Sequence, residues 1–356
     1  MFHNPIFPGR AEGVEPAPAS PHIVRARFRD AGLTFDRRTV DSTGAFLIGE
    51  LERLDQTLHM PLVSVTWSRD IDLREDVSIA DETSSFTNSS FAAAGGITPG
   101  GKAWIGKDAN AISSVSLDIG KTAQPLYLWG QEISWTIPEL ESAQKLGRPV
   151  DAQKFEVLRL KHNMDVDEQV YVGDTTLGKT GLVNAASVTN YTNVANGASG
   201  SPLWENKTPD EILADVNELL SSVWAASAWA VIPTQLRLPP KKYSYLVSQK
   251  VSNAGNLSIL QYLRDNNLAK SNGQELNIQP LKWLNGAGSG GTLGDDTTAN
   301  RMSAYTKDPM RVRFPMTPLQ RTPLEYRSLY QITTYFGRLG VLEVVYPETI
   351  GYRDGL

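Results

Sequence analysis

The chain of 356 residues contains no cysteine. Disulfides, thiolate metal sites and cysteine nucleophiles are thereby excluded, and the fold must hold without covalent staples. Histidine is scarce. His3, His22, His59 and His162 are scattered, with no H-x-x-H or H-x-x-x-H pair to hold a metal. No apolar run approaches the ~20 residues that cross a bilayer. The first twenty residues, MFHNPIFPGRAEGVEPAPAS, lack the charged start and apolar stretch of a secretion signal. A protein made and kept in a cytoplasm, away from membranes, is expected. A basic surplus is missing too: the net charge is −5, which argues against a dedicated nucleic-acid binder. There is no G-x-S-x-G elbow. The acidic clusters Asp295-Asp296 and Asp165/Asp167 have no companion base or metal set, and read as ordinary surface carboxylates.

What is present suffices for a core. Hydrophobic residues make up 40% and charged residues 21%, a balance that disorder does not show. The length suits two or three compact units, or one elongated protein with arms.

The stretch from Thr136 to Asn184 organises the rest. Thr136, Pro138 and Glu139 make a helix start: a capping hydroxyl, an early proline and a carboxylate three residues after the cap. Gly147-Arg148-Pro149 interrupts the helix, and Asp151 caps a second segment running to about Val170. His162 sits beside Leu158 and Leu160, where a partly buried structural role is expected. The following loop, Gly173-Asp-Thr-Thr-Leu-Gly178-Lys179-Thr180, matches the phosphate-cradling pattern G-x-x-x-x-G-K-[ST] letter for letter. A P-loop nucleotide-binding enzyme using Gly173–Thr180 is therefore one reading. It requires a helix starting at Lys179-Thr180 with its N-terminus facing the anion. The residues that follow, GLVNAASVTNYTN, are poor helix formers, and no later apolar strand ends in a metal-binding aspartate. The preferred reading is a tight loop closing a long helix, with Lys179 as a subunit or solvent contact. Gly286-Ala-Gly288-Ser-Gly290-Gly291 fits G-x-G-x-x-G, but TLGDDTTAN cannot supply the next helix, so residues 285–300 are expected to be a flexible surface loop. No active site, cofactor or metal is expected.

Residues 1–21, rich in proline, glycine and alanine, read as an extended arm. On a strand, Arg25, Arg27 and Arg29 share one face, either solvated or set against an acidic surface or phosphate backbone. Leu47, Leu51, Leu54 and Leu58 recur at helical spacing on a short amphipathic helix that needs something to lie against. Strands are expected over 62–73 and 112–120, joined by about forty residues of polar chain that suit a long two-stranded projection resting on a partner. Thr208-Pro209-Asp210-Glu211 repeats the earlier helix start and opens a helix that buries Ile212, Val216, Leu219, Leu220 and Val223. AWAVIP and YSYLVSQ are short strand candidates, Ser258 to Asn266 a helix, and ELNIQPLKWL, MSAYT, MRVRFPM, LYQITTYFG and GVLEVVYPETI strands. Helices and strands interleave without a regular βαβ repeat, which favours α+β.

This order of parts resembles the major capsid proteins of tailed bacteriophages, the coat architecture called the Johnson fold. The resemblance covers essentially the whole chain. Its residues are the Gly173…Gly181-Leu182-Val183-Asn184 loop, the Thr208-Pro-Asp-Glu helix start, the Pro233 turn after an apolar stretch, and Tyr346-Pro347-Glu348-Thr349-Ile350. It implies an α+β phage-coat architecture and four regions. Residues 1–60 become an N-terminal arm with a short helix, and 61–120 an extended loop lying over the adjacent subunit. Residues 121–200 become a peripheral domain with spine helix 136–170 and a return segment near 310–340. Residues 201–310 become an axial domain, with room for 341–356. It further implies hexamers and pentamers closing into an icosahedral shell around double-stranded DNA, in a virion assembled in a bacterial host's cytoplasm. Arg25, Arg27 and Arg29 would face packaged DNA or a neighbour, and Leu47, Leu51, Leu54, Leu58 and Lys179 would be contacts. A separate scaffold, a portal and decoration proteins are the further partners it allows for. No scaffolding-like region precedes residue 20, which implies a separate scaffold or a mature start. An encapsulin-like cellular nanocompartment is the alternative on the same coat fold.

Overall fold

The segment expected as one strand over 62–73 folds instead as a short helix and a short strand. The computed structural model describes residues 61–93, 115–145, 150–252, 256–295 and 299–356. Within it, the amides of Thr66 and Trp67 both donate to Asp167 Oδ1, at 2.7 and 3.1 Å. That carboxylate satisfies donors which an isolated helix start leaves open, and it starts α1 (Trp67–Asp70), followed by β1 (Asp72–Arg74). The chain divides into two units, Met1–Ser64 with Leu140–Val157, and Val65–Glu139 with Leu158–Leu356. In the first unit the described elements are helical stretches.

In the second unit, β2 (Thr83–Ala93) and β3 (Val115–Pro125) pair antiparallel over their full length, from Thr83 opposite Pro125 to Ala93 opposite Val115. The two-stranded projection is present, but its first strand is the Ser/Thr-rich segment read as connecting chain, and its second starts and ends later than 112–120. β4 (Tyr127–Thr136) follows directly and leads into α2 (Ile137–Lys145). Thr136 and Glu139 bond reciprocally at that start, Glu139 N to Thr136 Oγ1 at 3.2 Å and Thr136 N to Glu139 Oε2 at 3.4 Å. The spine, α3, spans Val150–Tyr171. It ends where Gly173 adopts φ +78°, a conformation that a side chain would strain. A Cβ there would also lie 2.4 Å from the Lys179 carbonyl oxygen.

A five-stranded sheet carries the larger core. It is built from β5 (Tyr191–Asn193), β6 (Gln235–Leu238), β7 (Asn277–Pro280), β8 (Arg301–Tyr305) and, later in the chain, β14 (Gly351–Asp354), in the spatial order β5-β14-β8-β6-β7. α4 (Pro209–Ala226) packs on this sheet. Thr208 and Glu211 form the expected capping box, and Ile212, Val216, Leu219, Leu220 and Val223 are fully buried. Each such side chain contributes about 1.5–3 kcal/mol of burial. The strand expected over YSYLVSQ is a helix, α5 (Pro240–Ser248), because Pro239-Pro240 stands where a helix start tolerates proline. AWAVIP forms no strand; it is the turn that ends α4. α6 (Ile259–Asn266) starts at Ser258 as expected, and α7 (Leu268–Ser271) completes the helices.

Two smaller sheets finish the unit. β9 (Val312–Pro315) lies between β1, parallel to it, and β13 (Glu343–Val344), antiparallel. β10 (Gln320–Arg321), β11 (Glu325–Arg327) and β12 (Tyr330–Leu339) form a sheet closed on its other side by β4, which runs antiparallel to β12 from Tyr127 opposite Leu339 to Thr136 opposite Tyr330. The inner face of β4 buries Ile133 and Trp135 and sets Trp129 edge-on to His162 of the spine, with 4.7 Å between ring centroids. His162 is buried in the structural role expected of it. GVLEVVYPETI supplies only the two residues of β13 and a 3-10 turn.

Candidate functional site

Arg25, Arg27, Arg29, Leu47, Leu51, Leu54 and Leu58 lie outside the described residues. Lys179 is described, half-buried in the loop that closes the spine. Asp174 occupies the centre of that loop. Its Oδ1 accepts the amides of Thr176 at 2.8 Å and Leu177 at 3.3 Å, and its carbonyl accepts the amide of Lys179 at 2.8 Å. The Thr176 hydroxyl above all, with the two amides adding to it, holds the Asp174 carboxyl below the usual carboxylate range against the opposing effect of burial. Two of the amides that would cradle a phosphate, those of Thr176 and Leu177, are thus spent on an internal carboxylate, and those of Gly178 and Lys179 on backbone carbonyls. The return is equally tied down: Leu182 N and Val183 N donate to Val170 O and Tyr171 O at 2.9 Å each, and Gly181 N to Asn184 Oδ1 at 2.7 Å. Coil follows Thr180, with no helix to point a dipole at an anion. The geometry is that of a closure, as the sequence argued.

The glycine-rich loop at 285–300 departs from expectation. Gly286 and Gly288 are buried, and the loop's first half is pinned: Gly286 N to Asn300 Oδ1 at 3.0 Å, Gly288 N to Ala299 O at 2.8 Å, Ser289 N to Asp354 Oδ2 at 2.7 Å. Gly286 has φ +62°, and a Cβ on it would meet the Thr292 carbonyl oxygen at 1.9 Å, so glycine serves close packing rather than mobility.

Asp167 is no surface carboxylate. It is fully buried, and besides capping α1 it accepts Trp283 Nε1 at 2.7 Å and an ion pair from Lys282 at 3.2 Å. Three further buried acids behave alike. Asp70 is bonded by Arg69 at 2.6 Å, Arg237 at 2.9 Å and the Tyr171 hydroxyl at 2.6 Å. Glu343 holds Arg313 at 2.7 Å, Arg74 at 3.1 Å and the Ser84 hydroxyl. Asp354 pairs with Arg301 at 2.7 Å. Each joins segments far apart in sequence, and each has its oxygens taken up by protein donors. They are fasteners, a role that no local sequence pattern announces. Among the described residues, no three His, Cys, Asp or Glu side chains gather as a metal would need. A groove of about 370 Å³ lies between the ribbon base at Phe86 and Thr122, the Gly178–Gly181 loop and residues 341–347. Among the described residues, Lys179 is the one charged side chain lining it.

What the second unit offers to its surroundings is apolar surface. On the ribbon, Leu117 and Ile119 are 62% and 61% exposed on one face of β3. At the β11–β12 hairpin, Tyr326 is 71% exposed and Leu329 62%. At the end of α4, Ala228 and Trp229 both take positive φ, 52° and 63°. Trp224 Nε1 donates to Trp229 O at 2.8 Å and the two rings meet edge to face, which holds Trp229 in place while 59% exposed. Two successive left-handed non-glycine residues cost roughly 1–2 kcal/mol each. The Leu117-Asp-Ile119 alternation was the available signal for the ribbon face; nothing in AWAVIP announces the strained turn.

The pattern of the major capsid protein family matches residues 100–356. The chain belongs to that family. For a major capsid protein the surfaces matter more than any cleft, and the architecture agrees across nearly the whole chain. The solved structure titled "The capsid of Myoviridae Phage XM1" covers 91% of this chain and 100% of its own, with TM-score 0.65 and 16% identity. The capsid of an empty GTA particle gives TM-score 0.53 at 13% identity over 90% of this chain and 99% of that one. A Mycobacterium phage Adephagia structure gives 0.51 at 12% identity, over 90% and 97%. At such identities the likeness is one of fold: a mixed helix and sheet architecture shared with phage capsids. A search of curated proteins finds no significant match. No described helix is long and apolar enough to cross a membrane.

Proposed function

We propose that this capsid protein is the self-assembling subunit of an icosahedral shell, built from hexamers and pentamers, that encloses the double-stranded DNA of a tailed phage. In this reading residues 61–120 are the extended loop reaching over the adjacent subunit, 121–200 the peripheral domain on its spine helix with a return segment near 310–340, and 201–310 with 341–356 the axial domain. The observation that carries it is the ribbon. It is two strands wide, it leaves Leu117 and Ile119 uncovered, and an isolated two-stranded ribbon is marginal in water, so it asks for a neighbour. Contacts between unlike patches of identical subunits form rings where the rotation between neighbours closes. Arg25, Arg27 and Arg29 are assigned to the inner, DNA-facing surface or a neighbour's acidic surface, and Leu47, Leu51, Leu54, Leu58 and Lys179 to subunit contacts. Assembly in a bacterial cytoplasm, with scaffold, portal and decoration proteins as partners, completes the proposal. The role is read as mechanical: among the described residues the buried carboxylates of Asp70, Asp167, Glu343 and Asp354 are engaged as fasteners.

Negative-stain electron microscopy of the expressed protein tests this. Shells, tubes or sheets with hexameric units are expected; small discrete oligomers under every assembly condition would overturn it. Particles filled with an enzyme cargo rather than DNA would move the assignment to an encapsulin-like compartment.

A further inference from the structure

The sequence contains three Asn-Gly steps, Asn196-Gly197, Asn272-Gly273 and Asn285-Gly286. At such a step the glycine amide nitrogen can attack the asparagine side-chain carbonyl carbon, because the second residue has no Cβ in the way and turns freely. In the sequence the three steps are equivalent. In the structure they are not.

Asn285 is held shut. Gly286 N donates to Asn300 Oδ1 at 3.0 Å, Asn285 O accepts Gly294 N at 2.9 Å, and the Asn285 side-chain oxygen is itself buried. The nucleophile is engaged and the side chain has no room to turn onto it. Asn196 is exposed, but Gly197 is packed: its amide donates to Ser201 O at 3.0 Å. A Cβ on Gly197 would lie 2.9 Å from Lys207 Cγ and 3.2 Å from both carboxylate oxygens of Glu211. Attack proceeds through the deprotonated amide, and a carboxylate that close disfavours a second negative charge.

Asn272 has neither protection. It follows α7, a helix of four residues, and both Asn272 and Gly273 are exposed. Gly273 has φ +79°, and nothing lies within 4 Å of the point its Cβ would occupy. The bonds that hold the turn are local: Asn272 N to Ala269 O at 3.1 Å, Gly273 N to Lys270 O at 3.0 Å and Gln274 N to Ala269 O at 2.9 Å. Fraying of this one helix end breaks them all, which places the step among the least protected parts of the fold.

We propose that Asn272 is a self-modification site, converted through a cyclic imide with Gly273 to aspartate and isoaspartate. The bond from Gly273 N to Asn272 Cγ forms, the Cγ–Nδ2 bond breaks, and ammonia leaves with the proton the amide gave up. Water then opens the five-membered ring at either carbonyl, giving aspartate or a backbone diverted through the side chain. No oxidant or enzyme takes part. Each event adds a carboxylate beside the exposed Lys270–Asp265 ion pair. In a shell every copy gains it independently, so a particle grows more acidic with age; the chemistry itself does not depend on assembly.

The full-length protein is held at mildly alkaline pH, native and in guanidinium chloride, and sampled by peptide mass spectrometry with fragmentation to place each change. In the native protein the Asn272 peptide should gain the mass of an amide-to-acid conversion about tenfold faster than the Asn196 and Asn285 peptides. It should also split into two chromatographic forms. In denaturant the three rates should converge, because the protection is structural. Asn272→Gln removes the five-membered route and should abolish most of the early acidic drift of the native protein on isoelectric focusing. Equal native rates at Asn196 or Asn285, an order that persists in denaturant, or an undiminished drift in Asn272→Gln would overturn the assignment. Each readout is made on the unassembled chain, so that result leaves the shell reading standing, and absence of particles leaves this site standing.

Discussion

Asp70 sits fully buried with guanidinium groups on two sides, and the balance of forces on it decides how the residue behaves. Burial pushes its carboxyl up, but Arg69, Arg237 and the Tyr171 hydroxyl outweigh it and hold the group below the usual carboxylate range. Asp70→Ala strands Arg237 in the core, and breaking a buried pair this way costs about 3–5 kcal/mol. Chemical denaturation should show that loss as a lower midpoint, and the double variant Asp70→Ala/Arg237→Met should recover a large part of it. His162 tests pH in the opposite sense. Burial against Trp129 depresses its pKa, with Asp165 opposing more weakly. The unfolded chain, with a histidine pKa of about 6.5, therefore binds more protons than the folded one as pH falls. Stability is level above that value and declines below it. His162→Phe keeps an aromatic edge at Trp129 but cannot titrate, so its melting temperature should fall less than the parent's between pH 7.5 and 5.5.

Elements were legible from the sequence where local chemistry fixes them, and obscure where tertiary contact does. The Thr136 and Thr208 starts, the Ser258 cap and the buried face of α4 follow from hydroxyl–carboxylate spacing and helical periodicity. Thr208→Ala, which removes one side of a capping box, should cost about 1 kcal/mol in urea denaturation. The loop after the spine was readable by elimination, since the residues after Thr180 cannot be a helix. Its close packing predicts a sharp contrast. Gly181→Ala drives a Cβ to 2.4 Å from the Tyr171 carbonyl carbon and should destabilise by about 1–3 kcal/mol, whereas Lys179→Ala should change stability by less than about 0.5 kcal/mol and leave no nucleotide-dependent difference in melting. The segment 62–73 was misread because its alternation is overridden by Asp167, a hundred residues away, which caps a helix there. The Ser/Thr-rich strand β2 was missed because it looks like loop; only its eleven-residue pairing with β3 makes it a strand. The acids that fasten the unit were invisible for the same reason.

At the scale of the molecule, the proposed function places folding and assembly in separate parts of the chain. Ser84 at the base of the ribbon is held by Glu343, but Asn88 and Gly120 face each other further out, so everything beyond those two can be replaced by a short Gly/Ser turn without stretching the backbone. Such a variant should keep the cooperative unfolding of the parent and lose particle formation, as sizing chromatography and microscopy would show. A variant that fails to fold would instead make the ribbon part of the subunit's own core. The five-stranded sheet adds a constraint of a different kind, one of timing. Its strand β14 lies between β5 and β8, parallel to the first and antiparallel to the second, and Asp354 on it receives Arg301. Translation is vectorial, so β5 waits roughly 8–30 s for its neighbour at about 5–20 residues per second. Until residues 351–354 have left the ribosome the sheet has a gap in it. On the proposed shell reading, a chain still lacking residues 351–354 would be unfit to join a lattice.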